Sequence, residues 1–434
     1  MRPGGRLAAA IEVLTDISTN HRPASTALAD WGRSHRFAGS GDRAAIGTIV
    51  FDCLRRKQSL AHQMQSDTPR ALALAAAPNA LGLSLEEIDP LADGSEHSIA
   101  PLSDEERRTL AIETLPDDTP LHIAADLPEW LAAEFENTFK DRARAEGEAL
   151  SQRAPIDLRV NGLKATREKV LKAFAKFDAE PTELSPVGVR IKAPKGAAKS
   201  PNVEADQAHG KGWFEVQDEA SQIAALIAGA SPREQVLDLC AGAGGKTLAM
   251  ASGMQNTGQI YAYDSSRSQL RPIFERLKRA GARNVQAMEA GDTEALEALG
   301  PRFDLVLVDA PCTGSGTWRR RPDSKWRLKP EAISERQEEQ RTVLDLAAKL
   351  VKPEGRLVYV TCSVLDAENN AQVKAFQERH PEFQLSPIAE HWEKNIGGSA
   401  PVSADGATDT LLLTPASHNT DGFFIAVLKR QPNS

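Results

Sequence analysis

The second half of the chain alternates short apolar runs with segments of helical periodicity, and this alternation constrains the fold more than any other feature. The predicted strands rich in Val, Leu and Ile cover 235–239, 259–263, 284–288, 303–309 and 356–361, with a late strand at 422–428. Strands that alternate with helices form parallel sheets that are covered by helices on both faces. The sequence therefore predicts a doubly wound α/β domain over 213–434.

Two further parts precede this domain. Residues 1–75 repeat apolar positions at helical spacing and predict an all-α region. Residues 76–125, which include the acidic stretch 86–118 of net charge −9, are expected to be a poorly packed connection within 1–125, with a short helix after the capping box of Ser103 and Glu106. Helical patterns at 127–139 and 166–177 and strand patterns at 155–161 and 187–191 predict a small α+β module over 126–212. The chain is thus expected to form three domains.

Charge and cysteine usage narrow the class of protein. The net charge is −8, so a polyanion would have to bind a local basic patch. The four cysteines lack the spacing of a metal site or a disulfide framework, and Cys53 lies on an apolar helical stripe that predicts a buried structural thiol. Because Glu12 and Asp16 interrupt the first apolar stretch, we expect neither a signal peptide nor a membrane span. The cysteine usage fits a reduced, cytoplasmic setting. We also expect a monomer without metal.

A glycine-rich turn follows the first predicted strand, in the sequence VLDLCAGAGGKT at 236–247. Cys240 stands where a phosphate-binding loop needs its first glycine, and Thr247 stands where a dinucleotide-binding motif needs its third. The turn is therefore expected to approach a ligand that lacks a pyrophosphate. Asp264, 20 residues beyond Gly244, suits a ribose, and Asp292 suits an adenine edge. Together these features suggest S-adenosylmethionine, although each residue alone is compatible with an ordinary turn.

Two cysteines follow two of the predicted strands: Cys312 comes after 303–309 and Cys362 comes directly after 356–361. If these strands are parallel neighbours, both thiols face one pocket; a disulfide or two buried core thiols are the alternatives. A thiolate that adds to C6 of cytosine makes C5 nucleophilic toward a methyl donor, and loss of the C5 proton then releases the thiol. Asp309, the last residue of the predicted strand 303–309, can face the Watson–Crick edge of an unpaired or flipped-out base.

A cationic segment at 318–327 follows Cys312 and lies between two tryptophans. The residues predicted to hold phosphates are Arg319, Arg320, Arg321 and Lys325. Trp318 or Trp326 could stack a base, although ordinary packing of the tryptophans and a solvated charged loop are the alternatives.

Eight motifs carry a resemblance to a known family over about 127–429. They are LPEWL (127–131), IDLRVN (156–161), VQDEAS (216–221), DLCAGAGGKT (238–247), DAPCTGSG (309–316), RRRPDSKW (319–326), TCSVLDAEN (361–369) and DGFFIA (421–426). With these motifs the chain resembles the RNA cytosine-C5 methyltransferases of the Nol/Nop/Sun family, and within it the bacterial small-subunit rRNA enzymes. The resemblance implies a Rossmann-like methyltransferase domain preceded by an RNA-binding extension, and the N-terminal helices resemble the NusB-type domain of some bacterial members.

The resemblance also implies roles for individual residues. Cys362 would be the nucleophile and Cys312 would assist product release, with Asp309 beside them. The cofactor would be held by Cys240, Ala241, Gly242, Ala243, Gly244, Gly245, Lys246, Asp264, Asp292 and Asp309. We therefore expect an S-adenosylmethionine-dependent RNA methyltransferase that acts on cytosine C5, with 16S rRNA as the expected substrate. A tRNA enzyme and a non-catalytic rRNA-binding assembly factor are the alternatives; a DNA cytosine methyltransferase is disfavoured because it uses one cysteine, placed after the fourth strand.

Overall fold

The computed structural model describes residues 1–112 and 114–432. The chain forms two compact units. The first comprises Met1–Arg153, Ala193–Pro201 and Trp318–Leu328, and the second comprises Ala154–Lys192, Asn202–Thr317 and Lys329–Ser434. Because these units divide the chain differently from the three predicted domains, the domain boundaries near 125 and 212 and the likeness to a NusB-type domain stay predictions.

The first unit is helical, as predicted for the N-terminal part. Its helices up to residue 150 are α1 (Pro3–Asn20), α2 (Ala24–Ser34), α3 (Ser40–Arg55), α4 (Lys57–Met64), α5 (Pro69–Ala77), α6 (Leu85–Ile88), α7 (Asp104–Leu110), α8 (Leu121–Ala124), α9 (Ala132–Phe139) and α10 (Ala143–Leu150). Leu7, Ile46 and Cys53 are fully buried in one apolar core, which confirms the structural thiol predicted at Cys53.

The acidic segment after α5 packs against this core, whereas the sequence predicted a loose linker. Ile88, Ile99, Leu102 and Leu110 are all buried in the same apolar cluster as the N-terminal helices. Apolar residues are sparse in this segment, so they show no periodicity, but each of them reaches the core while the acidic residues between them stay largely at the surface. The expectation of loose packing was therefore wrong for these positions.

The second unit begins with the small α+β module. Its antiparallel sheet has the order β2-β3-β1-β4, formed by β1 (Ile156–Val160), β2 (Glu180–Pro181), β3 (Gly188–Ile191) and β4 (Phe214–Val216). Phe174 and Phe214 pack edge to face beneath this sheet with ring centroids 5.2 Å apart. Strands β2 and β4 are too short to show the alternation from which the other two strands were predicted.

The large sheet is doubly wound, which confirms the predicted fold class. Its strands are β5 (Gln235–Asp238), β6 (Gln259–Ala262), β7 (Val285–Ala287), β8 (Phe303–Asp309), β9 (Val351–Thr361), β10 (Phe383–Ser386), β11 (Leu411–Leu413) and β12 (Phe423–Arg430). The order is β10-β12-β9-β8-β5-β6-β7, with β11 paired to β12. Strands β5 to β9 run parallel, and β12 joins β9 in the antiparallel sense.

Helices cover the two faces of this sheet and connect its strands. The remaining helices of the chain are α11 (Arg167–Ala173), α12 (Gln207–Gly210), α13 (Glu219–Ala228), α14 (Gly245–Gly253), α15 (Arg267–Leu270), α16 (Ile273–Ala280), α17 (Thr293–Glu297), α18 (Pro322–Arg327), α19 (Pro330–Leu350), α20 (Asn370–Arg379), α21 (Ile388–Asn395) and α22 (Pro415–His418). Of these, α18 belongs to the first unit. No helix within residues 1–112 and 114–432 is long and apolar enough to cross a membrane.

Candidate active site

The candidate site lies at the carboxyl edge of the large sheet, where the strand order reverses. Strand β5 lies between β6 and β8, so the chain proceeds outward from β5 in one direction and returns on its other side. In open α/β sheets, the loops that leave the strands at such a point form the ligand-binding crevice. Here these loops are the glycine-rich turn after β5 and the segment 310–317 after β8.

The register of β8 and β9 brings the two predicted thiols together. Asp309 pairs with Val360 in the parallel ladder, and the next backbone hydrogen bond runs from the Ala310 N–H to the Val360 carbonyl at 2.9 Å. Cys312 and Cys362 follow these residues closely, and their Sγ atoms are 3.4 Å apart. Both cysteines are free thiols, so the alternative of a disulfide is not what the structure shows.

The surroundings of Cys312 favour its protonated form. The hydrogen bond with Cys362 raises the pKa of the Cys312 thiol well above its usual value, and burial and the nearby carboxylate of Glu368 raise it further. A protonated Cys312 can donate its S–H to the sulfur of Cys362 across the 3.4 Å between them. The pair is thus arranged so that one sulfur can be a nucleophile while the other holds a proton.

Glu368, which the sequence did not single out, lies directly beside the thiol pair. It is fully buried, and it accepts hydrogen bonds from the Thr313 N–H at 2.8 Å, the Thr313 hydroxyl at 2.6 Å and the Ser363 hydroxyl at 2.5 Å. Gln340 donates to it from α19 at 3.1 Å. The only signal in the sequence was its place in the motif TCSVLDAEN, where an acidic residue follows a strand end and looks like part of an exposed turn.

Lys246 and Asp309 form an ion pair at the same edge of the sheet. The Lys246 Nζ atom donates to Asp309 Oδ2 at 2.6 Å and lies 5.1 Å from the centre of the Phe423 ring. The Lys246 side chain is buried, whereas 33% of the Asp309 side chain is exposed. The exposed part of Asp309 can therefore contact a ligand while Lys246 fixes its orientation and charge.

The glycine turn leaves room for a ligand. Gly242 has a φ of +50°, and a Cβ atom built on it would meet nothing within 4 Å. Its N–H donates to Asp264 Oδ2 at 2.9 Å, and the Ser266 N–H donates to the other oxygen at 2.8 Å. Each carboxylate oxygen keeps a further acceptor site, which suits the two hydroxyls of a ribose. At Gly244, by contrast, a Cβ atom would lie 2.5 Å from Ile273, so only glycine fits there.

Hydrogen bonds to Asp238 and to the Tyr263 carbonyl fix the rest of the turn. Asp238, at the end of β5, accepts the Thr247 hydroxyl at 2.6 Å, and its other oxygen is buried with no hydrogen-bond partner among the described residues. Burial raises the pKa of Asp238 to about 7. Burial likewise raises the pKa of the Cys240 thiol well above its usual value, although the residue as a whole is only half-buried. The Ala241 N–H donates to the Tyr263 carbonyl at 2.9 Å.

Two arginines hold carbonyl oxygens on the outer side of the turn. Arg276 donates to the Ala243 carbonyl at 2.8 Å, and Arg159 donates to the Gly245 carbonyl at 2.6 Å. Asp292 caps helix α17 by accepting the Ala295 N–H at 2.9 Å. The predicted cofactor residues thus occupy successive loops at one edge of the sheet, as the sequence predicted, and Arg159 comes from the small module.

The cationic segment is more buried than the sequence suggested. Lys325 is 1% exposed, and its ammonium group donates to the Arg55 carbonyl at 3.1 Å. Burial lowers the pKa of Lys325 to about 8, while the nearby carboxylate of Asp126 acts in the opposite direction. Arg319 is only 4% exposed. Direct phosphate contacts do not fit Lys325 or Arg319 in this conformation, because both side chains are buried; Arg320 is half-buried and Arg321 is exposed.

The two tryptophans of this segment also pack in the first unit. Trp318 is 1% exposed and stacks on Phe135 with ring centroids 6.1 Å apart. Trp326 donates its indole N–H to the Leu54 carbonyl at 2.5 Å. Trp318 therefore shows the ordinary packing that was the alternative for both residues, and its ring is not available as a platform for a base in this conformation; the Trp326 ring is half-buried.

Comparison with known proteins identifies the family. A model described as 16S rRNA methyltransferase RsmB/F matches residues 225–429, and a model of the RsmF/B-like ferredoxin-like domain matches 127–197. The probable ribosomal RNA small subunit methyltransferase B of Synechocystis is 34% identical over 312 residues, which are 70% of this chain and 66% of that protein. Ribosomal RNA small subunit methyltransferase B of Salmonella typhi is 35% identical over 261 residues, which are 60% of this chain and 59% of the Salmonella protein.

The matches to these curated relatives thus span about three fifths to two thirds of their length. Among solved structures, the crystal structure of PH0851 superposes with a TM-score of 0.74 and 25% identity, covering 99% of each chain. The two family models together match more than half of the 434 residues, in the parts that form the small module and the large sheet. The chain belongs to the RsmB/F family of methyltransferases.

Proposed function

We propose that this protein transfers a methyl group to C5 of a cytosine in RNA, with 16S rRNA as the substrate. The observation that carries the proposal is the pair of thiols 3.4 Å apart at the carboxyl edge of the sheet, next to a turn shaped for a nucleoside-bearing ligand. Methylation of most nucleic-acid atoms needs no thiol, whereas C5 of cytosine becomes nucleophilic only after a nucleophile has added to C6. The names of the relatives support rRNA as the RNA class.

The turn after β5 fits S-adenosylmethionine, the cofactor of this methyltransferase family. The open space beside Gly242 and the free acceptor sites of Asp264 would hold its ribose, and Asp292 and the segment from Cys240 to Lys246 would line the rest of its site. When bound, the cofactor supplies an electrophilic methyl group. The positive φ at Gly242 and the closely packed Gly244 keep the backbone near enough for such an approach.

Cys362 is the proposed nucleophile. Its thiolate forms a bond to C6 of the base, and the electron pair of the C5–C6 double bond becomes available at C5 for the incoming methyl group. Water then takes the C5 proton as the C6–sulfur bond breaks, so that the double bond is restored, and the protonated Cys312 stabilises the departing Cys362 thiolate by donating its S–H. The 3.4 Å separation of the sulfurs lets one proton serve both groups.

Asp309 and Lys246 are proposed to face the Watson–Crick edge of the base. Addition to C6 places negative charge on N3 and O2 of the ring, which the Lys246 ammonium group can offset, while the Asp309 carboxylate can accept a hydrogen bond from the exocyclic amine of the base. The exposed part of Asp309 is the part that would contact the base. The target cytosine must be unpaired or flipped out of a helix to reach this position.

The test is incubation of the protein with unmodified rRNA and labelled S-adenosylmethionine, followed by a denaturing gel. We expect wild type to methylate the RNA, Cys362→Ala to be inactive without an adduct, and Cys312→Ala to accumulate a covalent protein–RNA adduct because release is blocked. Cys53→Ala, at a buried thiol of the first unit, is the matched control and should leave methylation intact. Methylation by Cys362→Ala would refute the assignment of the nucleophile.

Substrate choice needs a separate comparison. Purified 16S rRNA, assembled small subunits and total tRNA should be offered in parallel, with the modified base identified after digestion. Incorporation into tRNA alone would favour the tRNA alternative. RNA binding without methyl transfer to any of these substrates would favour a non-catalytic assembly factor.

A further inference from the structure

We propose that Glu368 is the positioning residue that sets the geometry and protonation of the two thiols. The carboxylate ties together the residue after each cysteine: Thr313, which follows Cys312, donates to it twice, and Ser363, which follows Cys362, donates once. The two cysteines come from loops 50 residues apart in the chain. One side chain thus links the two loops at the points where the sulfurs are attached.

Glu368 is itself held rigidly. It ends a short helical turn at Asp366–Glu368, and its backbone carbonyl accepts the Tyr359 hydroxyl at 2.7 Å. The next residue, Asn369, accepts the Thr361 hydroxyl at 2.6 Å and donates to the Ser363 carbonyl at 2.9 Å. Because these bonds come from the end of β9 and its loop, they fix the carboxylate relative to the strand. The carboxylate in turn fixes the two loops that carry the thiols.

The bonding pattern around Glu368 fits an ionised carboxylate. Four hydrogen bonds from neutral donors reach its two oxygens, and a carboxylate is an acceptor-only group. These donors belong to Thr313, Gln340 and Ser363, and none of them is a lysine, arginine or histidine. A fully buried charge without a cation is costly, so it is retained where a local negative charge has a use.

The negative charge acts on the adjacent thiol. It is one of the causes that raise the pKa of Cys312, after the hydrogen bond with Cys362 and burial. A carboxylate on this side therefore opposes thiolate formation at Cys312 and leaves that sulfur protonated beside Cys362. This gives the two otherwise similar thiols different roles, which the proposed reaction requires.

This inference rests on the proposed function for its catalytic consequence but not for its geometric part, so two readouts are needed. The first is methyl transfer by Glu368→Gln, which keeps the shape but removes the charge and turns one acceptor into a donor. We expect kcat to fall about 100-fold, as for a reacting group displaced by about 1 Å, with the KM for S-adenosylmethionine changed less than about twofold. Glu338→Gln, at an exposed position on α19, is the matched control and should match wild type.

The second readout is the alkylation rate of each cysteine as a function of pH, followed by mass spectrometry with iodoacetamide as the probe. In Glu368→Gln we expect the alkylation midpoint of Cys312 to move to lower pH, and the difference in reactivity between the two thiols to shrink. Unchanged kcat with an unchanged alkylation profile would overturn the proposal, as would a loss of thermal stability alone. If wild type methylates no RNA, the proposed function fails, and the alkylation profile still decides the role of Glu368.

A second variant covers the case in which Glu368→Gln does not fold. Thr313→Val removes one hydroxyl donor to Glu368 and keeps the backbone bond from the same residue. We expect a reduction of about 10-fold in kcat and a smaller shift in the alkylation midpoint of Cys312. Wild-type values for both quantities in a folded Thr313→Val protein would refute the positioning role.

Discussion

Replacing Gly316 with alanine tests whether the loop after Cys312 is held by a close backbone contact. A Cβ atom on Gly316 would lie 2.1 Å from the Gly422 carbonyl oxygen, whereas ordinary contacts begin at 3.4 Å. The two segments would have to separate by about 1 Å, and forced expansion of this kind costs about 1–3 kcal/mol. The separation would also weaken the bonds from the Gly422 N–H to the Gly316 carbonyl at 2.8 Å and from the Gly316 N–H to the Cys362 carbonyl at 2.9 Å, each worth about 1 kcal/mol.

We therefore expect Gly316→Ala to lower the free energy of unfolding by about 2–4 kcal/mol and to change the alkylation rates of Cys312 and Cys362, because the displaced backbone carries both sulfurs. Urea denaturation followed by circular dichroism measures the first quantity, and the iodoacetamide assay measures the second. Gly210→Ala is the control, since a Cβ atom at Gly210 meets nothing within 4 Å. A Gly316→Ala protein with the same urea midpoint and the same thiol reactivity as wild type would refute the close-contact reasoning.

Three further predictions concern buried charges. Asp157→Asn should destabilise the protein by about 3 kcal/mol in urea, because Asp157 accepts two bonds of 2.7 Å from the buried Arg190; an unchanged midpoint would contradict this. The pKa of Lys325 is lowered to about 8, so above that pH the unfolded chain binds more protons than the folded protein does. The free energy of unfolding should therefore rise by about 3 kcal/mol between about pH 8 and 10.5. Lys325→Met should lack this rise. Burial lowers the pKa of His391 to about 4, so stability should fall as the pH drops from about 6.5 toward 4, and a His391→Gln variant with the same pH dependence as wild type would argue against it.

The sequence predicted the fold class and the order of the functional loops correctly because both are encoded locally. Apolar runs of strand length that alternate with helical periods are visible without tertiary information, and the parallel strands β5, β6, β7, β8 and β9 all fall on or near predicted segments. The short strands β2, β4, β10 and β11, which all pair in the antiparallel sense, were not predicted.

The sequence did not predict which charged and aromatic side chains are buried. Lys325 and Trp318 belong to a segment whose composition is typical of an exposed nucleic-acid contact, yet both are 1% exposed. The stem of a lysine and the ring of a tryptophan are apolar, so each can be buried when a carbonyl or another ring supplies a partner. Here those partners are the Arg55 carbonyl and the Phe135 ring, far from the segment in sequence.

The candidate site likewise combines features that are local in the sequence with features that depend on the tertiary structure. By itself, the sequence determined that a glycine turn follows one strand and that Cys312 and Cys362 follow two others, because strand ends and turn residues are local features. Only the tertiary structure decided that the two sulfurs lie 3.4 Å apart and that the buried Glu368 links their loops, since both facts depend on the register of β8 against β9 and on the turn after β9. A pairing register is a relation between distant segments, and no single segment encodes it.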